Sequence, residues 1–198
     1  MLRDPVERAW SQYLQGLGNG AIRWNFRDHI RRNLQHRSKQ LCVHYPFLEF
    51  GLYSEQLQRS KTRFGSNVWV GFYDEFKQRP RDVLRDICHF LGLEQEFSPT
   101  MDHRHMEAQV PRLGLVGWLK RSGIWRTTAK LTPSGLRPLF RRALVRKPGT
   151  THMDPADRAY LIDFYREDIL QLSRVLGRNL DAWLQPEAPE SVSQTLRD

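Results

Sequence analysis

The sequence predicts an α/β fold with few parallel strands and flanking helices. Three observations carry this: a capped helix start just after residue 3, a continuous apolar run at Val68–Tyr73 (VWVGFY), and helices with apolar faces opening at Pro80 and Pro155. The 198 residues suit one domain, and 39% hydrophobic against 27% charged residues excludes collagen-like, coiled-coil and wholly disordered chains. The apolar run in Leu113–Leu119 is far too short to span a bilayer, so no transmembrane segment is expected. MLRDPVERAW lacks the apolar core of a secretory signal. Two cysteines, Cys42 and Cys88, form no disulfide framework, which makes a reduced, cytoplasmic compartment the default.

Met1-Leu2-Arg3 reads as the last residues of a strand. Asp4 caps the next helix, with Pro5 at its first position and Glu7 three residues after the cap. That helix is expected to run through Leu14 and to stop at Gly16, Gly18 and Gly20. Residues 21–48 read as a helix and a loop. Gly51–Phe64 reads as a helix with Leu52, Leu57 and Phe64 on one side. The length and the β-branched and aromatic content of Val68–Tyr73 favour a buried parallel strand.

Pro80 opens a helix whose Val83, Leu84, Ile87, Phe90 and Leu91 share a face, ended by Gly92. Pro111–Pro148 is punctuated by glycine and proline and resists assignment. The last helix has Asp154 as cap, Pro155 first, Leu161, Phe164, Tyr165, Leu172, Val175 and Leu176 as its apolar face, and Gly177 as its stop. The domain is expected over 1–184, and the polar, proline-containing tail 185–198 reads as disordered.

The net charge of +9 is local. From Ala108 to Met153 there is no Asp or Glu, while ten Lys and Arg residues fall there, among them Lys130, Arg146 and Lys147. Such a segment attracts anions: a nucleotide, an acidic glycan, nucleic acid or a lipid surface. The plain alternative is a solvated basic face. Trp118 and Trp125 sit among the charges, but no nucleic-acid or membrane motif accompanies them.

The segment with chemical content is Arg3-Asp4-Pro5-x-x-Arg8-x-x-Ser11-x-Tyr13. An arginine at the C-terminal end of a strand stands where α/β folds bind ligands, and a hydroxyl two turns along the next helix can join it in clamping a phosphate. From the residues alone, a capped helix start with surface arginines is the favoured reading.

LRDPVERAWSQY resembles the 3′-phosphate-binding segment of PAPS-dependent sulfotransferases, closest to their bacterial and heparan-sulfate-type branch. PAPS is 3′-phosphoadenosine 5′-phosphosulfate, the sulfonate donor. The resemblance implies that Arg3 and Ser11 bind the donor's 3′-phosphate; Arg8 matches too and reads as structural. It continues in order: Gly51-Leu52-Tyr53 with Gln56-Leu57 is similar to the family's GLYxxQL helix. Phe72-Tyr73-Asp74-Glu75-Phe76 with Pro80, Val83-Leu84 and Phe90-Leu91-Gly92-Leu93 is similar to its YEDL…P…VL…FLGL unit, with the acidic pair reversed.

Tyr73 falls where the family tyrosine lies near the adenine; the buried end of a strand explains it equally well. Met153-Asp154-Pro155, Arg158, Leu161, Tyr165 and Leu176-Gly177-Arg178-Asn179-Leu180 with Trp183 resembles the terminal MDP…LGRxLxxW helix. Arg146-Lys147-Pro148-Gly149 occupies the place of a basic loop that also reaches the 3′-phosphate, although Pro148 removes one backbone donor. The likeness spans residues 2–183.

The resemblance therefore implies part of a P-loop-NTPase-like sulfotransferase fold, PAPS as donor, and a hydroxyl or amine acceptor, most naturally on a carbohydrate. Neither a metal nor a nucleic-acid partner is implied. The family's phosphate-loop lysine, which neutralises the leaving phosphate, and its usual base both precede the RxP motif, so they would lie before residue 1. GxxxxGK[ST] is absent, and Gly117–Ser122 and Lys147–Thr151 are partial likenesses out of order. The expectation is an N-terminally truncated domain missing its phosphate-loop unit, inactive as written, with no catalytic residue assigned. Asp102-His103-Arg104-His105 lacks a third metal ligand, and Cys42 with His44 lacks an orienting partner. The alternative is a non-catalytic basic module that holds a polyanion, glycan or nucleic acid, through residues 108–153. Nothing in the sequence speaks to oligomeric state.

Overall fold

The computed structural model describes residues 1–18, 21–35, 47–93, 110–111, 145–146 and 152–186. They fall in two compact units: one from Met1–Glu7, Phe50–His103 and Arg158–Asp198, the other from Arg8–Glu49 and Arg104–Asp157.

Among its described residues the first unit is joined at one parallel rung. The Leu2 N–H donates to the Gly71 carbonyl at 2.7 Å, and the Leu2 carbonyl accepts the Tyr73 N–H at 2.7 Å, making a Leu2–Phe72 bridge. Helix α1 (Pro5–Gly18) leaves one side of that rung and continues into the second unit. Helix α4 (Tyr73–Gln78) leaves the other side, followed by α5 (Pro80–Phe90). The expected buried strand over Val68–Tyr73 is therefore not formed as such. A strand extends only as far as its ladder, the described ladder here is that rung, and Val68, Trp69 and Val70 are half-buried. Tyr73 opens a helix instead of ending a strand. The described residues are mostly helical.

Before α3 (Ser54–Phe64) comes a short 3₁₀ turn, Glu49–Gly51, so the helix starts three residues later than the sequence suggested. Its cap comes from α6 (Pro155–Leu176). Asp168 accepts the backbone N–H of Tyr53 at 2.8 Å and of Ser54 at 3.2 Å, and the Ser54 hydroxyl at 2.5 Å. A carboxylate there satisfies unpaired first-turn donors and meets the positive end of the helix dipole. Gly51 sits against α6 and Pro5 so closely that an added Cβ would lie 2.8 Å from the Tyr165 ring and 3.0 Å from Pro5 Cβ.

Helix α6 buries Leu161, Ile162, Tyr165, Ile169 and Leu172, and Gly177 ends it with a φ of 63°. Phe72 and Trp183 pack with ring centroids 6.1 Å apart. Along the face of α5, Val83 is buried and Leu84 and Ile87 are half-buried, while Phe90 and Leu91 are exposed, as is Phe64 of α3.

The second unit holds the rest of α1, helix α2 (Phe26–Gln35), and two short strands, β1 (Val110–Pro111) and β2 (Val145–Arg146), paired antiparallel. Helix α1 continues through Gly16 to Gly18, beyond the expected stop. Its buried Tyr13 and Leu14 outweigh glycine's weak helix preference, and the Gly16 carbonyl is capped by the N–H groups of Ala21 and Ile22. Tyr13 packs on Phe26 at 4.9 Å, and His29 on Phe47 at 4.4 Å. Among the described residues no helix is long and apolar enough to cross a membrane. The expected disorder of the tail concerns residues that, beyond 186, lie outside the described ones.

Asp168→Ala is expected to lower the unfolding free energy by about 2 kcal/mol, read from urea denaturation, because three donors lose their acceptor. Gly51→Ala is expected to cost about 1–3 kcal/mol through overpacking against Tyr165. A change below about 0.5 kcal/mol in either variant contradicts the packing described.

Candidate functional site

In a parallel pair, the residues following the bridge leave side by side. Arg3 follows Leu2 and Tyr73 follows Phe72, and the Arg3 guanidinium carbon stands 4.9 Å from the Tyr73 ring centroid. Lys77, one turn along α4, brings its Nζ to 5.9 Å from the same ring. Two of the residues the sequence singled out are thus brought together, and Lys77 is added. The signal for Lys77 was its position four residues after Tyr73, legible only once a helix is known to start there.

Behind Arg3 lies a charged cluster. Asp4 Oδ1 accepts the N–H of Val6 at 2.8 Å and of Glu7 at 3.3 Å, which is the predicted cap. Glu7 stands three residues after that cap, the position of a reciprocal capping box, but its carboxylate is engaged elsewhere. Arg158 Nη1 donates to Glu7 Oε1 at 2.6 Å, and Arg3 Nη2 lies 3.9 Å from Glu7 Oε2. Arg158 Nη2 faces Asp4 Oδ2 at 3.6 Å, and those two side chains are 6% and 4% exposed. Burial pushes the Asp4 carboxyl up to about 6, and the Glu7 charge adds to the rise. The two cap hydrogen bonds and Arg158 pull the other way and do not offset the lost hydration.

The remaining candidates belong to the second unit or lie outside the described residues. Ser11 lies on α1 in the second unit and is half-buried. Arg8 is anchored as a structural residue: Nη1 donates to Gln12 Oε1 at 2.7 Å and Nη2 to the Phe47 carbonyl. Arg146, expected in a basic loop, has its backbone paired with Val110 in the β1–β2 ladder. Lys147 lies outside the described residues, as do most of the basic segment 108–153 and the Asp102–His105 cluster.

The second unit also holds an open cleft of about 510 Å³, lined by Trp10, Phe26, Arg27, Asp28, His152 and Asp157 among others; none of Arg3, Ser11 or Tyr73 lines it. Arg27 Nε donates to Asp157 Oδ1 at 2.7 Å there. Burial, with Asp157 nearby, raises Tyr13 to about 12, and its hydroxyl donates to the Trp24 carbonyl at 3.2 Å. Among the described residues no group of three or more His, Cys, Asp or Glu side chains could hold a metal.

Chemically, Arg3, Tyr73 and Lys77 offer a guanidinium fork, a π-face and an ammonium within a few ångströms. That set suits a phosphorylated planar ligand: the fork pairs with a phosphate and the ring stacks with a base.

No protein-family model matches the chain. It is 25% identical over 194 residues to the bifunctional heparan sulfate N-deacetylase/N-sulfotransferase 1 of Xenopus laevis, covering 94% of this chain and 20% of that protein. It is 26% identical over 202 residues to the bifunctional heparan sulfate N-deacetylase/N-sulfotransferase 2 of Bos taurus, covering 98% and 21% respectively. The chain thus spans about a fifth of the length of these curated relatives. A crystal structure of a sulfotransferase from Alicyclobacillus acidocaldarius is similar with a TM-score of 0.65 and 23% identity, over 93% of this chain and 56% of that one. The fold is that of a sulfotransferase.

The raised Asp4 carboxyl has a stability consequence of definite sign. Its folded value of about 6 exceeds the ordinary 3.8, so the folded state binds the proton more tightly. Stability from this group is greatest below about pH 4 and falls as pH rises towards 6. Asp4→Asn keeps a capping side chain and removes the titration. The wild type is expected to lose about 2–3 kcal/mol relative to this variant between pH 4 and 7, read from urea midpoints. A difference that stays flat across that range contradicts the assignment.

Proposed function

We propose, on the sulfotransferase family that these relatives support, that the chain is the nucleotide-holding part of a PAPS-dependent sulfotransferase domain with a P-loop-type α/β arrangement. In such a reaction an acceptor oxygen or nitrogen attacks sulfur. The sulfur–oxygen bond to the 5′-phosphate breaks, adenosine 3′,5′-bisphosphate leaves, and the acceptor proton passes to a base. The acceptor is the hydroxyl or amine of a carbohydrate, a reading supported by the names of the heparan sulfate relatives.

In this reading Arg3 and Ser11 bind the donor's 3′-phosphate, Tyr73 packs against its adenine, and Arg146 and Lys147 belong to the basic segment that reaches the same phosphate. The observation that carries it is the emergence of Arg3 and Tyr73 side by side from the Leu2–Phe72 bridge, with the guanidinium 4.9 Å from the ring. Ligands of α/β folds gather at such C-terminal strand ends. The residues present fit the donor's nucleotide half: Arg3 is 29% exposed and its contact to Glu7, at 3.9 Å, is too long to occupy its donors. No residue of this chain is assigned to the leaving 5′-phosphate or to the acceptor proton.

Calorimetric titration with adenosine 3′,5′-bisphosphate tests the reading. Binding is expected, and Arg3→Ala and Ser11→Ala should each weaken it by about tenfold or more, the usual cost of losing a charge-assisted hydrogen bond. Adenosine 5′-phosphate, lacking the 3′-phosphate, should bind more weakly and ignore Arg3→Ala. Equal affinity for the two nucleotides, or indifference to both substitutions, overturns it.

A further inference from the structure

Glu7 stands between two arginines and serves them unequally. Its Oε1 is 2.6 Å from Arg158 Nη1, a close charge-assisted pair with a buried partner, while its Oε2 is 3.9 Å from Arg3 Nη2, beyond hydrogen-bond reach. Arg158 is an expensive residue to keep. Its side chain is 6% exposed, and its Nε and Nη2 have no hydrogen-bond partner. Asp4, the second carboxylate facing it, already gives Oδ1 to the cap of α1, and its Oδ2 has no hydrogen-bond partner. What this cation accomplishes is to hold the Glu7 carboxylate on its own side.

From this geometry we infer that Arg158 is a positioning residue for the anion site: by clamping Glu7 it keeps the Arg3 fork open for a phosphate. The inference rests on the proposed binding of a 3′-phosphonucleotide at Arg3. Without Arg158, Glu7 loses its close partner, and the cation left beside it among the described residues is Arg3. A carboxylate closing on that guanidinium occupies the donors a phosphate needs, so Glu7 becomes an internal competitor of the ligand. The affinity of Arg3 for anions is then set by a residue more than 150 positions away that touches no ligand.

A double-mutant cycle read by titration with adenosine 3′,5′-bisphosphate separates this role from a merely structural one. Arg158→Gln should weaken binding by about tenfold. Adding Glu7→Gln to that variant, which removes the competitor's charge, should restore affinity to within about threefold of wild type. Glu7→Gln alone should bind at least as tightly as wild type, and this variant decides the matter if Arg158→Gln does not fold. Equal weakness of Arg158→Gln and the double variant would show a structural role only and overturn the inference, as would unchanged binding in Arg158→Gln or clearly weaker binding in Glu7→Gln. If the wild type binds no nucleotide, or binds it regardless of Arg3→Ala, the functional reading itself has failed and the inference goes with it. Nucleotide binding that depends on Arg3 but not on Arg158 leaves the functional reading standing and refutes only this step.

Discussion

Two backbone hydrogen bonds to Leu2 determine where the chemistry of the first unit can lie. They join the entrance of α1 to the entrance of α4, and each helix begins within a few residues of the joint. A parallel rung aligns the chains in the same direction, so the residues that follow it diverge from a common edge. Arg3 and Tyr73 are brought together by that rung although seventy positions separate them along the chain. Arg178 reinforces the arrangement from the C-terminal side, its guanidinium 3.8 Å over the Phe72 ring and its Nη1 2.7 Å from Glu75 on α4.

The charged cluster behind Arg3 runs against simple stability. Two carboxylates and a guanidinium are taken largely out of water, and the Asp4 carboxyl rises to about 6 because hydration lost to burial exceeds what its partners return. Buried ion pairs of this kind seldom outperform apolar packing. A cluster of that cost beside a half-buried arginine is better understood as a device that fixes the local field than as a source of folding energy.

Local chemistry was readable in the sequence, and long-range chemistry was not. The caps at Asp4 and Asp154 were legible because each bonds a backbone N–H two residues on. The stops at Gly92 and Gly177 were legible for the same local reason, each now seen at positive φ. The start of α3 is not legible locally because its cap is Asp168 on another helix, and the partner of Glu7 is not legible because Arg158 lies far away in sequence. Val68–Tyr73 had the composition of a buried strand, but being a strand depends on a partner backbone that composition does not encode. Helix α4 left a fainter trace: Asp74 and Glu75 in its first turn and Lys77 in its last complement a helix dipole. The pairing of Arg3 with Tyr73 had no local signal at all beyond the resemblance that named both.

The cap of α3 also orders events during synthesis. Asp168 follows Tyr53 by 115 positions. At roughly 5–20 residues per second, a ribosome exposes the first turn of α3 for about 6–23 seconds before the carboxylate that completes it exists. An eleven-residue helix is marginal in isolation, so the nascent segment waits unfinished until the C-terminal helix emerges. Completion of this helix end therefore depends on the arrival of α6 and not on growth from α3 itself.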